Sequence, residues 1–276
     1  MIGINTYGLG MCLEKDFDGT LQQLKDAGIG AIEPCLLCWS PKTDPELNGG
    51  PKLSDLPLRH GFWKLEHAAP VIQRFKDNGF IIRSIQYMGH WDDTEAMEHA
   101  IDFAIRQDAR YFIHSFNVST IHEIDEWIPY IRDVARRLQE HGISLMMHNH
   151  EVEWVPDEGT TVFEHLLKEV PELTVELDVG WTKFAGVNCV DTLRKYKDQI
   201  RIIHFKDVEE GANTENRNSC FTAMGEGSVP LADIMKVVPE LDLDEMTEFV
   251  LDQDDSHGDM MRDVRIGIVN IRKHII

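Results

Sequence analysis

Short apolar runs and longer helix-spaced stretches alternate along this chain from one end to the other, and that alternation restricts the fold more than any other feature. The runs lie at Ile2 to Asn5, Ile29 to Glu33, Phe80 to Tyr87, Tyr111 to Phe116, Ile143 to Met147, Leu173 to Asp178, Ile200 to Phe205 and Met246 to Leu251. Each has the length and the β-branched or aromatic content of a buried strand. Between them, Ile121, Ile124, Ile128, Ile131, Ala135 and Leu138 keep helical spacing up to a stop at Gly142. Asp16 to Ala27 ends at Gly28 in the same way, and Phe62 to Asp77 ends near Gly79. Eight strand–helix units in 276 residues is the arithmetic of a (β/α)8 TIM barrel. An open doubly wound sheet would need a Gly-rich phosphate turn after its first strand. Gly8-Leu9-Gly10 is too short for that turn and no helix is expected directly behind it, so dinucleotide binding is not expected. With no linker, low-complexity tract or longer repeat, residues 1–276 read as a single domain.

Charge narrows the partners. Lys plus Arg is 27 against 48 Asp plus Glu, a net charge of −21. Such a surface repels phosphate backbones, so neither nucleic acid nor an anionic membrane is an expected partner; a small neutral substrate or a bound cation fits better. The sequence leaves a homo-oligomer open. Five cysteines at irregular spacing, Cys12, Cys35, Cys38, Cys189 and Cys220, read as free thiols in a reducing compartment. The N-terminus lacks both a basic lead-in and a small-residue cleavage site, and no window is long and apolar enough to span a bilayer. A cytoplasmic protein is expected. Cys35-Leu36-Leu37-Cys38 has the C-x-x-C spacing but no second pair to complete a zinc site.

In a barrel, the polar residues that end each strand converge on one pocket at the C-terminal face. They are Asn5 and Tyr7 after the first strand, Glu33 after the second, Tyr87 and His90 after the third, and His114 after the fourth. The second half is richer: His148-Asn149-His150 with Glu151 and Glu153, then Asp178, then His204 with Lys206 and Asp207, then Asp252 with Asp254. A single His or Asp at a strand end is ordinarily a capping or hydrogen-bonding residue. Imidazole or carboxylate on four successive strand ends instead suits one divalent ion, Mn, Co, Mg, Fe or Zn, held by His148, Asp178, His204 and Asp252. Two long connections, Cys35 to His60 and Val208 to Val229, follow strands and are candidate lids or substrate walls.

The motifs Met147-His148-Asn149-His150 with Glu153-Trp154, Glu176-Leu177-Asp178-Val179-Gly180-Trp181, His204-Phe205-Lys206-Asp207, Gly225-Glu226-Gly227 and Asp252-Gln253-Asp254 occur in that order. Together they resemble the xylose isomerase-like superfamily of sugar phosphate isomerases and epimerases, which includes ketose 3-epimerases and inositol-catabolism enzymes. The resemblance implies one metal held by residues after strands five to eight, where many members place Glu, Asp, His and Glu. Asp178 and His204 match that pattern; His148 and Asp252 stand where the two Glu usually stand. In the ketose epimerases those Glu also move the proton, so their replacement bears on the reaction. The endonuclease IV branch uses three metals and additional His ligands, one of them in the region of Trp181, and the acidic surface opposes DNA.

The expected activity is metal-dependent isomerisation or epimerisation of a small keto-sugar, sugar phosphate or keto-inositol through an enediolate, with a dehydratase or lyase, or a sugar-binding barrel without turnover, as the rivals. Glu153 is the expected base, matching by resemblance a Glu close to substrate in the ketose epimerases, with Glu226 and His150 in reserve. Glu33, His90, His114, Trp154, Trp181 and Lys206 are the expected substrate-binding residues, the two Trp as aromatic walls for sugar C–H faces, whereas Trp63 and Trp127 are expected in the packing. Lys206 and Arg217 are the cations that could meet a phosphate.

Overall fold

The structure, a computed structural model, describes residues 1–49 and 61–275. Its main sheet consists of β1 (Ile2–Asn5), β2 (Ala31–Glu33), β3 (Cys35–Leu37), β4 (Phe62–Lys64), β5 (Ser84–Tyr87), β6 (Tyr111–His114), β7 (Ser144–His148), β8 (Thr174–Asp178), β9 (Ile200–Phe205) and β10 (Phe249–Leu251). Neighbours pair in parallel in the order β2, β1, β10, β9, β8, β7, β6, β5, β3, β4. β2 and β3 are one stretch of extended chain interrupted by Pro34, which has no N–H to give to a ladder. β2 bonds to β1, and β3 bonds to β5. The sheet thereby closes into a barrel of eight staves, with β4 an extra strand beside β3.

Seven of the eight expected runs contain a barrel strand and the eighth, Ile143 to Met147, stops one residue short of the end of β7, while the Ile200 to Phe205 run is β9 to the residue. The differences have local causes. Cys35, expected to open a loop, lies in β3, so the long excursion begins at Cys38; its stretch from 50 to 60 lies outside the described residues. Phe62–Lys64 are extended because they pair with β3, and the helix follows at Leu65–Asp77. The helical stretch from Ile121 is two helices, Ile121–Asp125 and Ile128–Glu140, because Pro129 fits the first turn of a helix and not its interior. A six-residue helix, Gly10–Lys15, does open behind Gly8-Leu9-Gly10, contrary to expectation. Asp16 caps the helix Phe17–Ala27 by accepting the Gly19 N–H at 2.9 Å, and Gly28 ends it in the left-handed conformation.

Strand alternation separates two interiors. Residues of one parity face the helices, where Leu24, Phe75, Phe112, Phe163 and Phe205 are completely buried. Burying each such side chain stabilises the fold by roughly 1.5–3 kcal/mol. Residues of the other parity fill the barrel. Tyr111, Ile113, Met146, Ile202 and Val250 form its own small apolar cluster. Above and beside them the barrel lining is polar, which an ordinary core could not tolerate without hydrogen bonds.

Candidate metal centre and its cleft

The inward parity continues along β1, β2, β5 and β7 to β10 into side chains with chemistry: Asn5, Glu33, Gln86, His148, Glu176, Asp178, His204 and Asp252, all at most 5% exposed. Around Glu33 the lining is a closed network. Asn5 Nδ2 donates to Glu33 Oε1 at 2.8 Å and to Gln86 Oε1 at 2.6 Å, and Ser84 Oγ donates to Glu33 Oε2 at 2.5 Å.

His204 stands at the centre. Its Nδ1 is 3.4 Å from Asp252 Oδ2 and 3.6 Å from Asp178 Oδ2, while its Nε2 is 3.2 Å from Glu33 Oε1 and 3.9 Å from Glu176 Oε1. Neither ring nitrogen makes a well-aligned hydrogen bond. Burial disfavours its imidazolium, yet Glu176 and Asp252 outweigh burial and hold its pKa well above the usual value. His148 behaves oppositely: burial, with His204 and His150 beside it, pushes it well down and keeps it neutral. Its Nδ1 is 2.8 Å from Glu176 Oε2, and its Nε2 faces Asp178 Oδ2 at 3.8 Å.

Asp178 owes its position to two local devices. Its Oδ1 caps the helix Val179–Phe184 by accepting the Trp181 N–H at 2.7 Å, which leaves Oδ2 for the centre. Asn149 ties β7 to β8 by accepting the Asp178 N–H at 3.0 Å and donating to the Asp178 carbonyl at 3.2 Å. In His148-Asn149-His150, the middle residue is therefore the brace. Lys206, 2% exposed, holds three carboxylates: Asp252 Oδ2 at 2.6 Å, Asp254 Oδ2 at 2.9 Å and Asp178 Oδ2 at 3.4 Å. Burial opposes its charge, but Asp252, Asp254 and Asp178 raise its pKa well above the usual value.

Two triads of ligand atoms lie within 4.8 Å of one another: Asp178, His204 and Asp252, and His148, Glu176 and His204. Asp178 Oδ2, His204 Nδ1, Asp252 Oδ1 and Glu176 Oε1 are buried without a hydrogen-bond partner. Mixed imidazole and carboxylate donors that converge while unsatisfied fit a divalent ion. Asp178, His204 and Asp252 of the quartet expected from strand ends form one triad, and His148 meets His204 in the other, with Glu176 at its Nδ1. Glu176 was missed as a site residue although its signal was present: it stands two residues before Asp178 and so shares its face.

Beside Trp181 and Asp254 opens a cleft of about 530 Å3, lined also by Tyr7, Arg217, Phe221 and Met260 among others. Arg217 lies 4.4 Å over the Trp181 ring and pairs with Glu151, with Nη2 2.9 Å from Oε2. The segment that carries Arg217 is pinned by Asp207, which accepts backbone N–H groups from Gly225, Gly227, Val208 and Val229 at 2.8–3.0 Å. Asp254, named from sequence beside Asp252 but given no site role, has its pKa pushed up to about 7 by burial and the nearby Asp252.

The remaining expected residues divide. Trp181 walls the cleft, and His150 lies beside it, its ring 5.3 Å from Trp181 and 5.1 Å from His148. Burial and Lys206 lower the His150 pKa to about 3. Glu153 is fully buried; its oxygens accept the N–H groups of Asn117 at 2.7 Å and His150 at 2.9 Å, and burial raises its pKa to about 7. Glu226 is exposed, with Arg262 4.0 Å away. Trp154 stacks on Phe163 at 4.0 Å, and Trp63 packs edge-on to Phe75. His114 has outward parity: it contacts Tyr87 and Phe116 in the helix layer, with burial lowering its pKa to about 4. His90 lines a different groove, of about 440 Å3, together with Trp91 and Trp127. Among the described residues no helix is long and apolar enough to cross a membrane, and all five cysteines are free.

A family model described as a xylose isomerase-like TIM barrel matches residues 21–250. An inosose dehydratase of Lacticaseibacillus casei is 25% identical over 132 residues, 42% of this chain and 44% of that protein, so the match spans less than half of this curated relative. A sugar phosphate isomerase/epimerase from Parabacteroides distasonis superposes with a TM-score of 0.71 at 16% identity, covering 100% of this chain and 95% of that one. The probable 3-DHS dehydratase of Bacillus anthracis gives 0.68 at 15%, covering 98% of each. At those identities the structural likeness carries the fold alone.

Proposed function

The chain belongs to the xylose isomerase-like TIM-barrel family, and from that premise we propose that it holds one divalent ion and converts a small polyhydroxy ketone, a keto-sugar or keto-inositol, through an enediolate. The observation that carries this reading is the convergence of buried atoms of Asp178, His204 and Asp252 that make no hydrogen bond, next to a cleft lined by Asp254. His148 is the fourth ligand through Nε2, with Glu176 behind its Nδ1. When bound, a divalent ion supplies Lewis acidity at a carbonyl oxygen and the hydroxyl beside it.

The charges favour an unphosphorylated substrate. Lys206 is engaged by three carboxylates and Arg217 by Glu151, and the cleft adds Asp254 and Asp255. Neither cation is left over for a phosphate. Trp181 and Phe221 offer aromatic surface to a ring's C–H face. In this reading the proton-moving group is Asp254, a carboxyl that lines the cleft next to Lys206. Glu153 is a positioning residue, since both of its oxygens hold backbone N–H groups and one of those belongs to His150. The free thiols fit a reducing compartment, the cytoplasm.

One observation favours elimination over epimerisation as the outcome. Epimerisation through an enediolate calls for a proton-transfer group on each face of the substrate, and the two positions usually occupied by Glu are His148, tied to Glu176, and Asp252, a member of the ligand triad. A single carboxyl on one face of the substrate, here Asp254, serves β-elimination: it takes the proton α to the carbonyl, the C–H electron pair forms the enediolate, and the β C–O bond breaks as the carboxyl returns the proton to the leaving oxygen, so that water leaves. Incubation of the metal-loaded protein with keto-inositols and ketohexoses in D2O tests both outcomes by mass. Loss of water marks elimination, and deuterium uptake without loss marks isomerisation or epimerisation. Neither change in any ketone refutes the enediolate reading.

A further inference from the structure

We propose that Lys206 is a built-in rival of the divalent ion: its ammonium lies against two of the carboxylates the ion needs, so that it lowers ion affinity while holding the apo site together. The inference rests on the metal-centre reading above. Lys206 Nζ is 2.6 Å from Asp252 Oδ2 and 3.4 Å from Asp178 Oδ2, and both carboxylates belong to the ligand triad. The third partner, Asp254 Oδ2 at 2.9 Å, lies outside the triad.

Lys206 has little freedom to withdraw. Its Nζ lies 4.9 Å from the centre of the Trp181 ring and 5.3 Å from that of Phe221, so aromatic surface separates it from the open cleft. Its stem is wedged against the helix Val179–Phe184. A Cβ on Gly180 would come within 2.7 Å of Lys206 Cγ and 2.8 Å of its carbonyl oxygen, and only glycine allows the helix so close.

Two consequences follow from electrostatics. With no ion bound, Asp178, Asp252 and Asp254 are buried carboxylates whose charge needs a buried cation, and Lys206 supplies one. With an ion at Asp178, His204 and Asp252, two positive centres share the same two carboxylates in a low-dielectric interior, where like charges repel far more than in water. Lys206 therefore makes the fold independent of metal at the expense of metal affinity.

The experiment uses Mn2+ alone on the full chain, by calorimetric titration and by thermal unfolding with and without Mn2+. Lys206→Met keeps the stem and removes the charge; it should bind Mn2+ roughly tenfold or more tightly than the parent. Its Tm should also rise with Mn2+ far more than the parent's. Lys206→Arg keeps the charge and should retain the parent's affinity, a result that a purely packing role for Lys206 would not give. Should Lys206→Met lose its fold in metal-free buffer, Lys206→Gln and refolding in Mn2+ replace it, with native circular dichroism recovered only in Mn2+. Equal or weaker Mn2+ binding by the charge-removed variants, or their failure to refold in Mn2+, overturns the proposal and leaves the metal centre standing. No Mn2+ binding by the parent or any variant overturns both.

Discussion

His148 Nδ1 lies 2.8 Å from Glu176 Oε2 inside the barrel, a pair with almost no solvent access. A carboxylate there fixes the imidazole tautomer with its proton on Nδ1 and turns the Nε2 lone pair toward Asp178. Loss of that hold should weaken metal binding without removing a direct ligand. Glu176→Gln is expected to lower Mn2+ affinity by about 10- to 100-fold, the usual scale for an outer-shell partner of a metal-bound His. An unchanged dissociation constant would show that His148 needs no such support.

Asp178 has two duties that substitution can separate, because Oδ1 caps a helix and Oδ2 faces the centre. Asp178→Asn retains an amide oxygen for the Trp181 N–H and should keep most of the stability, yet bind metal poorly. Asp178→Ala should lose metal as well as about 1 kcal/mol of cap energy. Chemical denaturation in a chelator, paired with metal analysis, checks both. Full metal occupancy in Asp178→Ala, or in His204→Ala, would falsify the centre.

Glu153 links stability to pH. Its folded-state pKa, about 7, lies above the usual 4.5 of a glutamate, and burial is the cause. A group raised in this way contributes its stability fully below the unfolded pKa and loses it as pH rises through the folded one. The native state should therefore lose on the order of 3 kcal/mol from this residue between pH 4.5 and 7. Urea unfolding of the parent and Glu153→Gln at several pH values isolates the effect. The parent's advantage over the variant should shrink as pH rises, and a flat difference contradicts the assignment.

Trp154 and Trp181 should respond differently to the same change. Trp181 walls the cleft, whereas Trp154 stacks on Phe163. Trp181→Phe is expected to weaken binding of the converted ketone several-fold, since the larger ring contributes more contact area. Trp154→Phe should leave that affinity alone and lower Tm instead. Ketone titrations followed by intrinsic fluorescence discriminate the two, and equal effects on affinity would count against this placement.

The eight-unit rhythm and the strand-end chemistry were present in the sequence itself. Apolar runs, Asp16 and Gly28 as helix boundaries, and the donors His148, Asp178, His204 and Asp252 need only local periodicity and the barrel rule that strand ends share a face. The same alternation separates Glu176 from Leu177, and His114 from Ile113, once one inward residue on the strand is known. Which parity points inward is a property of the closed sheet, so Glu33 and Glu176 entered the centre while His114 went to the helix layer. Tertiary structure alone decided which charges meet. Asp254 and Asp252 share Lys206, Arg217 is taken by Glu151, and Glu153 is sealed beneath the Asn117 and His150 backbone. Those pairings join residues from different strands and loops, and their energies depend on burial and on distances of a few ångströms, quantities that a linear order of residues does not contain.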